Sequence, residues 1–251
     1  MPHVQERGQP EMKILTPQQL TGRERSHVVE VPQLQCSLHP AAAAALMSMM
    51  RDAAGSGLDI APLSGFRDFN QQLVIWNGKF RGERALLDRD GAPLNVATMQ
   101  EEQIVRAILH WSALPAASRH HWGTEIDVFD RAVMPQGARP RLVPSEYGCD
   151  GIFAALSAWL ARHAERYGFY LPYDSDRGGV QPEPWHLSFA PLSSVLLPEL
   201  TVALLAETLA GVALAGASIV QRLLPEIHAR YVCAVAAPSA RALRAESVDA
   251  G

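Results

Sequence analysis

The residues able to do unusual chemistry fall in two short runs. Ser118-Arg119-His120-His121-Trp122-Gly123-Thr124-Glu125-Ile126-Asp127 places a histidine seven residues before an aspartate, and some sixty residues later comes Glu183-Pro184-Trp185-His186. His120, Asp127 and His186 supply two imidazoles and a carboxylate, a hard-to-borderline donor set that suits Zn2+ and leaves a fourth position for water. Glu183, three residues before His186, is then placed to work on that water. A metal lowers the pKa of a bound water toward about 7, and a nearby carboxylate takes its proton as it attacks a carbonyl. Pro184 disfavours a helical arrangement of Glu183 and His186, so a turn entering a strand is expected. Either motif alone is common by chance, and the case for a metal site rests on their combination. HExxH, GxSxG, P-loop, GxGxxG and SxxK signatures are absent.

A third run, Ser64-Gly65-Phe66-Arg67, precedes these two. In the order and approximate spacing of all three motifs the chain resembles the zinc D-alanyl-D-alanine carboxypeptidases of the vancomycin-resistance type. That group includes D,D-dipeptidases, L,D-carboxypeptidases and some phage endolysins, and has a Hedgehog/DD-peptidase-like fold. The resemblance covers about residues 60–190. It implies one Zn2+ held by His120, Asp127 and His186, with Glu183 as catalytic base. Arg67 is then the cation that steadies the carbonyl oxygen as it becomes an oxyanion. Ser118 matches a position that hydrogen-bonds substrate, and Gln72 a recurrent glutamine near the site; the alternatives are that Ser118 caps a turn and that Gln72 faces solvent.

Three positions depart from the family's pattern. Glu125 stands where a small residue is usual, and is either an acceptor for a ligand histidine or a rival ligand. His121 is an alternative to His120, the register set by Ser118 and Gly123 favouring His120. Phe66 replaces a common tyrosine, which removes a hydroxyl.

The implied activity is removal of the terminal D-alanine from a peptidoglycan stem peptide or muropeptide, D,D-cleavage on pentapeptides or L,D-cleavage on tetrapeptides. An endolysin-type endopeptidase cutting between L-alanine and D-glutamate is one alternative. A zinc-binding module without catalysis is another, and the presence of both Glu183 and Arg67 argues against it.

These residues need a scaffold. Pro40 opens a helix that ends before Gly55; Leu58 to Leu63 reads as a short strand leading into the Arg67 motif; Asp68 caps a helix running to about Phe80. A helix is expected from about Thr98 to Ser112, and another from Ile152 to Tyr167 closed by Gly168. Thr124 to Phe129 is a strand with Thr124, Ile126 and Val128 on one face and Glu125, Asp127 and Phe129 on the other. Trp185 to Phe189 is a last short strand. Helices outnumber strands, so the expected class is α+β: a small, mainly antiparallel sheet carrying the zinc site, surrounded by helices. Residues 1–192 form the expected carboxypeptidase domain with a loose arm over residues 1 to about 12, 193–235 a helical extension packed on it, and 236–251 a flexible tail. His110, His163 and His228 fall on expected helices as structural or solvent-facing residues, and His3, His27 and His39 have no evident partners.

Leu200 to Val220 is long and apolar enough to raise a membrane span, but it is rich in Ala and Gly, carries Glu207, and splits into two stripes. The first is Val202, Leu205, Leu209 and Val212. The second is Ile219, Leu223, Ile227 and Tyr231, with Gly211 and Gly216 between them and Pro225 as a candidate kink. Two core-packed helices are therefore expected, and no membrane span. The 251 residues carry 22 Lys+Arg against 26 Asp+Glu, scattered along the chain, so no nucleic-acid footprint is expected. The basic residues are all arginine except Lys13 and Lys79. Cys36, Cys149 and Cys233 form no CxxC pair, and the first residues carry Glu6 and Glu11 without an apolar stretch, so a cytoplasmic location is expected. The sequence is silent on oligomeric state.

Overall fold

The strand that carries Asp127 is central, and its alternation decides what lies on either side. In the computed structural model, which describes residues 15–244, β3 (Ile60–Ser64), β4 (Glu125–Asp130), β6 (His186–Phe189) and β5 (Phe169–Tyr170) form an antiparallel sheet in that order. Successive side chains alternate faces. Ile126 and Val128, with Leu187 and Phe189 of β6, enter a core filled by Leu46 and Met49 of α2 (Pro40–Ala54) and by Leu156, Trp159 and Leu160 of α6 (Ala154–His163). That alternation assigns Glu125, Asp127, His186 and Ser188 to the other face, whereas Phe129, expected there too, packs against the core with its ring centroid 6.2 Å from that of Phe153.

A second apolar cluster joins α3 (Phe69–Phe80), α4 (Glu101–Leu109), α7 (Ala190–Leu196), α8 (Val202–Leu209) and α9 (Ala217–Ile227) through Trp76, Ile108, Leu196, Leu205 and Leu224. Asp68 caps α3 by accepting the Gln71 N–H at 2.8 Å. A Gly168 φ of 80° ends the Ala164–Tyr167 turn that follows α6. The class is α+β. No single described helix is long and apolar enough to cross a membrane. The apolar run breaks instead between α8 and α9, where Gly211 and Gly216 take φ of 73° and 71°.

Several expectations need correction. In α9 the buried residues are Val220, Leu224 and Ile227, with Tyr231 beyond the helix, in place of a stripe through Ile219 and Leu223. Adjacent positions are both apolar there, so spacing alone does not choose between them and packing does. Pro225 lies within α9, and the chain continues as a π turn over His228–Val232. Residues 236–244 are docked: the Ala236 N–H donates to the Pro172 carbonyl at 2.8 Å, and α10 (Ala240–Leu243) buries Ala242 against Tyr170 and Ala190. Small side chains permit that close approach.

His39 and His27 do have partners. His39 Nδ1 accepts the Ala41 N–H at the start of α2 at 3.3 Å, and His27 Nε2 lies 2.8 Å from the His121 carbonyl. A short helix α1 (Pro17–Leu20), a hairpin of β1 (Val29–Val31) with β2 (Cys36–Leu38), and α5 (Pro144–Tyr147) are additional elements. The cysteines are free thiols. The arm over residues 1 to about 12, with His3, and residues 245–251 of the tail lie outside the described residues.

Candidate metal centre and active site

Register brings the first two expected ligands together. Asp127 lies opposite His186 in the β4–β6 pair, with Asp127 Oδ1 at 3.0 Å from His186 Nδ1. His120 arrives from a 3-10 turn, Arg119–Trp122, that ends at Gly123 with φ 69°. A Cβ at Gly123 would meet the His39 backbone nitrogen at 2.8 Å. Glycine therefore satisfies both the left-handed backbone and the close approach that turn His120 toward β4. His120 Nδ1 donates to the Gly65 carbonyl at 2.8 Å, which leaves Nε2 free at 3.4 Å from Asp127 Oδ2.

One donor atom from each of His120, Asp127 and His186 lies within 4.8 Å of the others, and all three residues are buried. Two imidazole nitrogens and one carboxylate oxygen fit a single Zn2+ with an open position. The field fits too. Burial pulls the His186 pKa down, yet its bonds to Asp127 and Glu125 push it up to about 10, so positive charge is favoured where an ion would sit.

The alternatives to these ligands separate cleanly. His121 Nδ1 donates to the Arg67 carbonyl at 2.6 Å and its ring lies against Gly22, apart from the cluster. Glu125 Oε2 is 2.9 Å from His186 Nε2, on the ring nitrogen that does not face Asp127, so it is an acceptor and not a rival ligand.

Glu183 sits in the turn that Pro184 predicted: its N–H donates to the Tyr173 carbonyl and its carbonyl accepts the His186 N–H, both at 3.0 Å. Its carboxylate reaches to 3.5 Å from His186 Nδ1. Burial pushes the Glu183 pKa up to about 7; His186 opposes this, Asp127 adds to it, and Lys79 and Arg67 oppose it. A carboxyl near neutrality matches the needs of a general base.

Arg67 follows a register shift between Pro62 and Ser64, after which Ser64 still pairs with Asp127. Its backbone is pinned by the His120 carbonyl, which accepts the Arg67 N–H at 3.2 Å, and by His121. Its guanidinium donates to Gln72 Oε1 at 2.8 Å and to Ser64 Oγ at 3.1 Å. Gln72 is fully buried, and its amide donates to the Ala113 carbonyl at 2.7 Å. Gln72 thus does not face solvent; it clamps Arg67. Ser118 is buried at the start of the Arg119–Trp122 turn, where its carbonyl, not its hydroxyl, accepts the His121 N–H at 3.0 Å.

Sequence reasoning passed over three neighbours. Lys79, two helical turns beyond Gln72 on α3, donates to Ser112 Oγ at 2.7 Å. Burial lowers its pKa to about 8, against Glu183, which raises it, and alongside Arg67 and Arg84, which lower it. Its spacing of seven from Gln72 was the available signal. Tyr173, whose ring centroid lies 5.1 Å from that of His186, had none. Arg119, adjacent to His120, forms a buried ion pair with Glu125 at 3.1 Å.

A carboxyl poised near neutrality beside a place for one cation is the apparatus of metal-assisted hydrolysis, carried here on an α+β fold. Residues 35–192 match VanY, D-alanyl-D-alanine carboxypeptidase, and the chain belongs to that family of metallopeptidases. The match starts well before residue 60 and takes in β2, whose Ser37 carbonyl accepts the Phe66 N–H at 2.8 Å.

Among curated relatives, an uncharacterized protein of Haemophilus influenzae is 42% identical over 103 residues, 40% of this chain and 70% of the relative. A second from the same organism is 36% identical over 121 residues, 47% of this chain and 92% of that protein. The putative carboxypeptidase YodJ of Bacillus subtilis is 24% identical over 153 residues, 59% of this chain and 44% of YodJ. Similar solved structures include VanYB in complex with D-alanine-D-alanine, at 16% identity and TM-score 0.49, covering 76% of this chain and 92% of that one. The LdcB LD-carboxypeptidase is similar at 21% identity and TM-score 0.47, covering 84% and 80% of the two chains.

Proposed function

We propose that this protein is a zinc carboxypeptidase that releases the terminal D-alanine of peptidoglycan stem peptides, with His120, Asp127 and His186 as the metal ligands. The observation that carries the reading is the placement of the buried Glu183 carboxylate, raised to about 7, at 3.5 Å from Nδ1 of His186, one of the three clustered donors. Zinc bound by His120, Asp127 and His186 would supply Lewis acidity for a carbonyl and for a water beside it. Glu183 accepts the water proton on its carboxylate and returns it to the departing amino group. Arg67, fixed by Gln72 and Ser64, donates to the carbonyl oxygen as negative charge develops there, a preorganised contact worth about 3–4 kcal/mol.

A carboxypeptidase substrate presents a free α-carboxylate at the leaving residue, which an endopeptidase cutting between L-alanine and D-glutamate does not meet, and we assign Lys79 as the cation that receives it. Its ammonium donates to Ser112 Oγ at 2.7 Å, and its charge is coupled to those of Glu183 and Arg67. Lys79→Met is expected to raise KM about tenfold, the loss of one hydrogen bond to a charged group, with kcat little changed. Steady-state kinetics on a free-acid peptide check this, and an unchanged KM removes Lys79 from the site.

The decisive assay is release of free D-alanine from tetra- and pentapeptide muropeptides, with and without chelator. Chelator-sensitive release is expected, and the tetrapeptide-to-pentapeptide rate ratio assigns L,D- or D,D-specificity. New D-glutamate amino termini without free D-alanine would make the protein an endopeptidase instead. No cleavage with zinc bound would make it a non-catalytic zinc module.

A further inference from the structure

Behind His186, on the ring edge away from Asp127, lies a buried ionic network. Glu125 is fully buried, and its position two residues before Asp127 puts both carboxylates on one face of β4. Its Oε2 is 2.9 Å from His186 Nε2 and accepts from Arg119 Nε at 3.1 Å. Its Oε1 accepts from Ser188 Oγ at 2.8 Å, Thr124 Oγ1 at 3.0 Å and Arg119 Nη2 at 3.3 Å. Arg119 is itself buried, stacks over the Trp122 ring with its guanidinium carbon 4.8 Å from the centroid, and also reaches Ser188 Oγ at 2.7 Å and Tyr170 OH at 3.1 Å.

An isolated buried glutamate is costly and tends to take up a proton; a two-pronged arginine contact keeps it ionised. An ionised carboxylate only accepts, so the His186 nitrogen that faces it must carry a hydrogen. With Nε2–H committed to Glu125, the nitrogen left for a metal is Nδ1, which faces Asp127 Oδ1 at 3.0 Å and Glu183 Oε2 at 3.5 Å; there a bound metal would take the place of the second proton that His186 carries without it.

We propose that Glu125, with Arg119 as its buried counter-ion, is a positioning residue that holds His186 in the tautomer and orientation that ligate metal through Nδ1. This rests on His186 being a metal ligand. A carboxylate behind a ligand histidine fixes the ring and makes it a stronger donor, and its loss weakens metal binding about 10- to 100-fold.

The test replaces both charges with apolar residues of similar size, Glu125→Leu with Arg119→Met, so that neither is left buried alone. Zinc affinity is measured by competition with a chromophoric chelator, and the visible spectrum of the Co2+-loaded protein is recorded. Zinc binding about 10- to 100-fold weaker and displaced cobalt bands are expected. Glu125→Gln, whose amide oxygen still accepts from Nε2–H, should lie closer to the unaltered protein. Wild-type affinity and spectrum in the double variant overturn the proposal.

His186→Ala separates this from the assignment beneath it. If that variant also keeps wild-type zinc affinity, the ligand set is wrong; if it loses zinc while the double variant does not, only the role of Glu125 fails. Nitrogen-15 NMR of the unaltered, zinc-loaded protein gives a measurement independent of how well any variant folds: His186 should carry its proton on Nε2 and the metal on Nδ1. The reverse arrangement overturns the proposal.

Discussion

Glu183→Gln is expected to leave zinc bound at unchanged stoichiometry while kcat falls about 10²–10⁴-fold, the usual worth of a general base. The separation of binding from rate follows from geometry. His120, Asp127 and His186 already supply three donors within 4.8 Å of one another, and Glu183 stands outside that set, 3.5 Å from His186 Nδ1. Glutamine preserves size and polarity but has no basic oxygen. Backbone bonds to Tyr173 and His186 at 3.0 Å hold the turn, so the substitution need not move it.

The pH dependence follows from the same residue. Burial brings Glu183 to about 7, and a divalent cation nearby adds to the lowering that His186, Lys79 and Arg67 exert. The base must be ionised to act. Activity therefore rises with pH through the Glu183 pKa, giving an acid limb in kcat/KM at or below about pH 7. In Glu183→Gln the residual activity should lose that limb. Kinetics on the zinc-loaded protein between about pH 5 and 9, with metal content by mass spectrometry, check both parts. Loss of zinc in the variant would mean that Glu183 is a ligand.

How far the sequence foretold this site depends on what each inference needed. The two faces of β4 were legible because alternation is local: Ile126 and Val128 go to the core, Glu125 and Asp127 to the site. The turn at Glu183 was legible from Pro184 alone. What a pattern does not carry is the partner across a strand. Asp127 facing His186, and Glu125 facing Ser188, are consequences of register between segments some sixty residues apart. Gln72 was visible as a polar residue beyond Arg67, but its role as a clamp depends on α3 packing against Ala113. Docking of residues 236–244 was hidden because an Ala- and Ser-rich run reads as a tail until something close enough to bury Ala242 is known. Likewise, the choice between adjacent histidines rested on register, and contacts with Gly65 and Gly22 give it a physical cause.

Those contacts predict opposite outcomes for His120→Ala and His121→Ala. His120 gives its Nδ1–H to the Gly65 carbonyl at 2.8 Å and turns Nε2 toward Asp127, so its removal deletes one of three protein donors. Zinc in four-ligand sites is held by about 10–16 kcal/mol, so one ligand accounts for roughly 3 kcal/mol and its loss weakens binding on the order of 10²-fold. Activity at limiting zinc should then disappear and return in part with excess metal.

His121 points the other way. Its Nδ1–H holds the Arg67 carbonyl at 2.6 Å, and its ring fills the space against Gly22. His121→Ala leaves a cavity and loosens the segment that aims Arg67. It should cost about 2–4 kcal/mol of stability, by comparison with other large-to-small changes in a core, and lower kcat while zinc affinity stays near that of the unaltered protein. Chelator competition and thermal unfolding on both variants decide it. Retained zinc affinity in His120→Ala together with its loss in His121→Ala would exchange the two roles, and would require the turn from Arg119 to Trp122 to be rotated from its arrangement here.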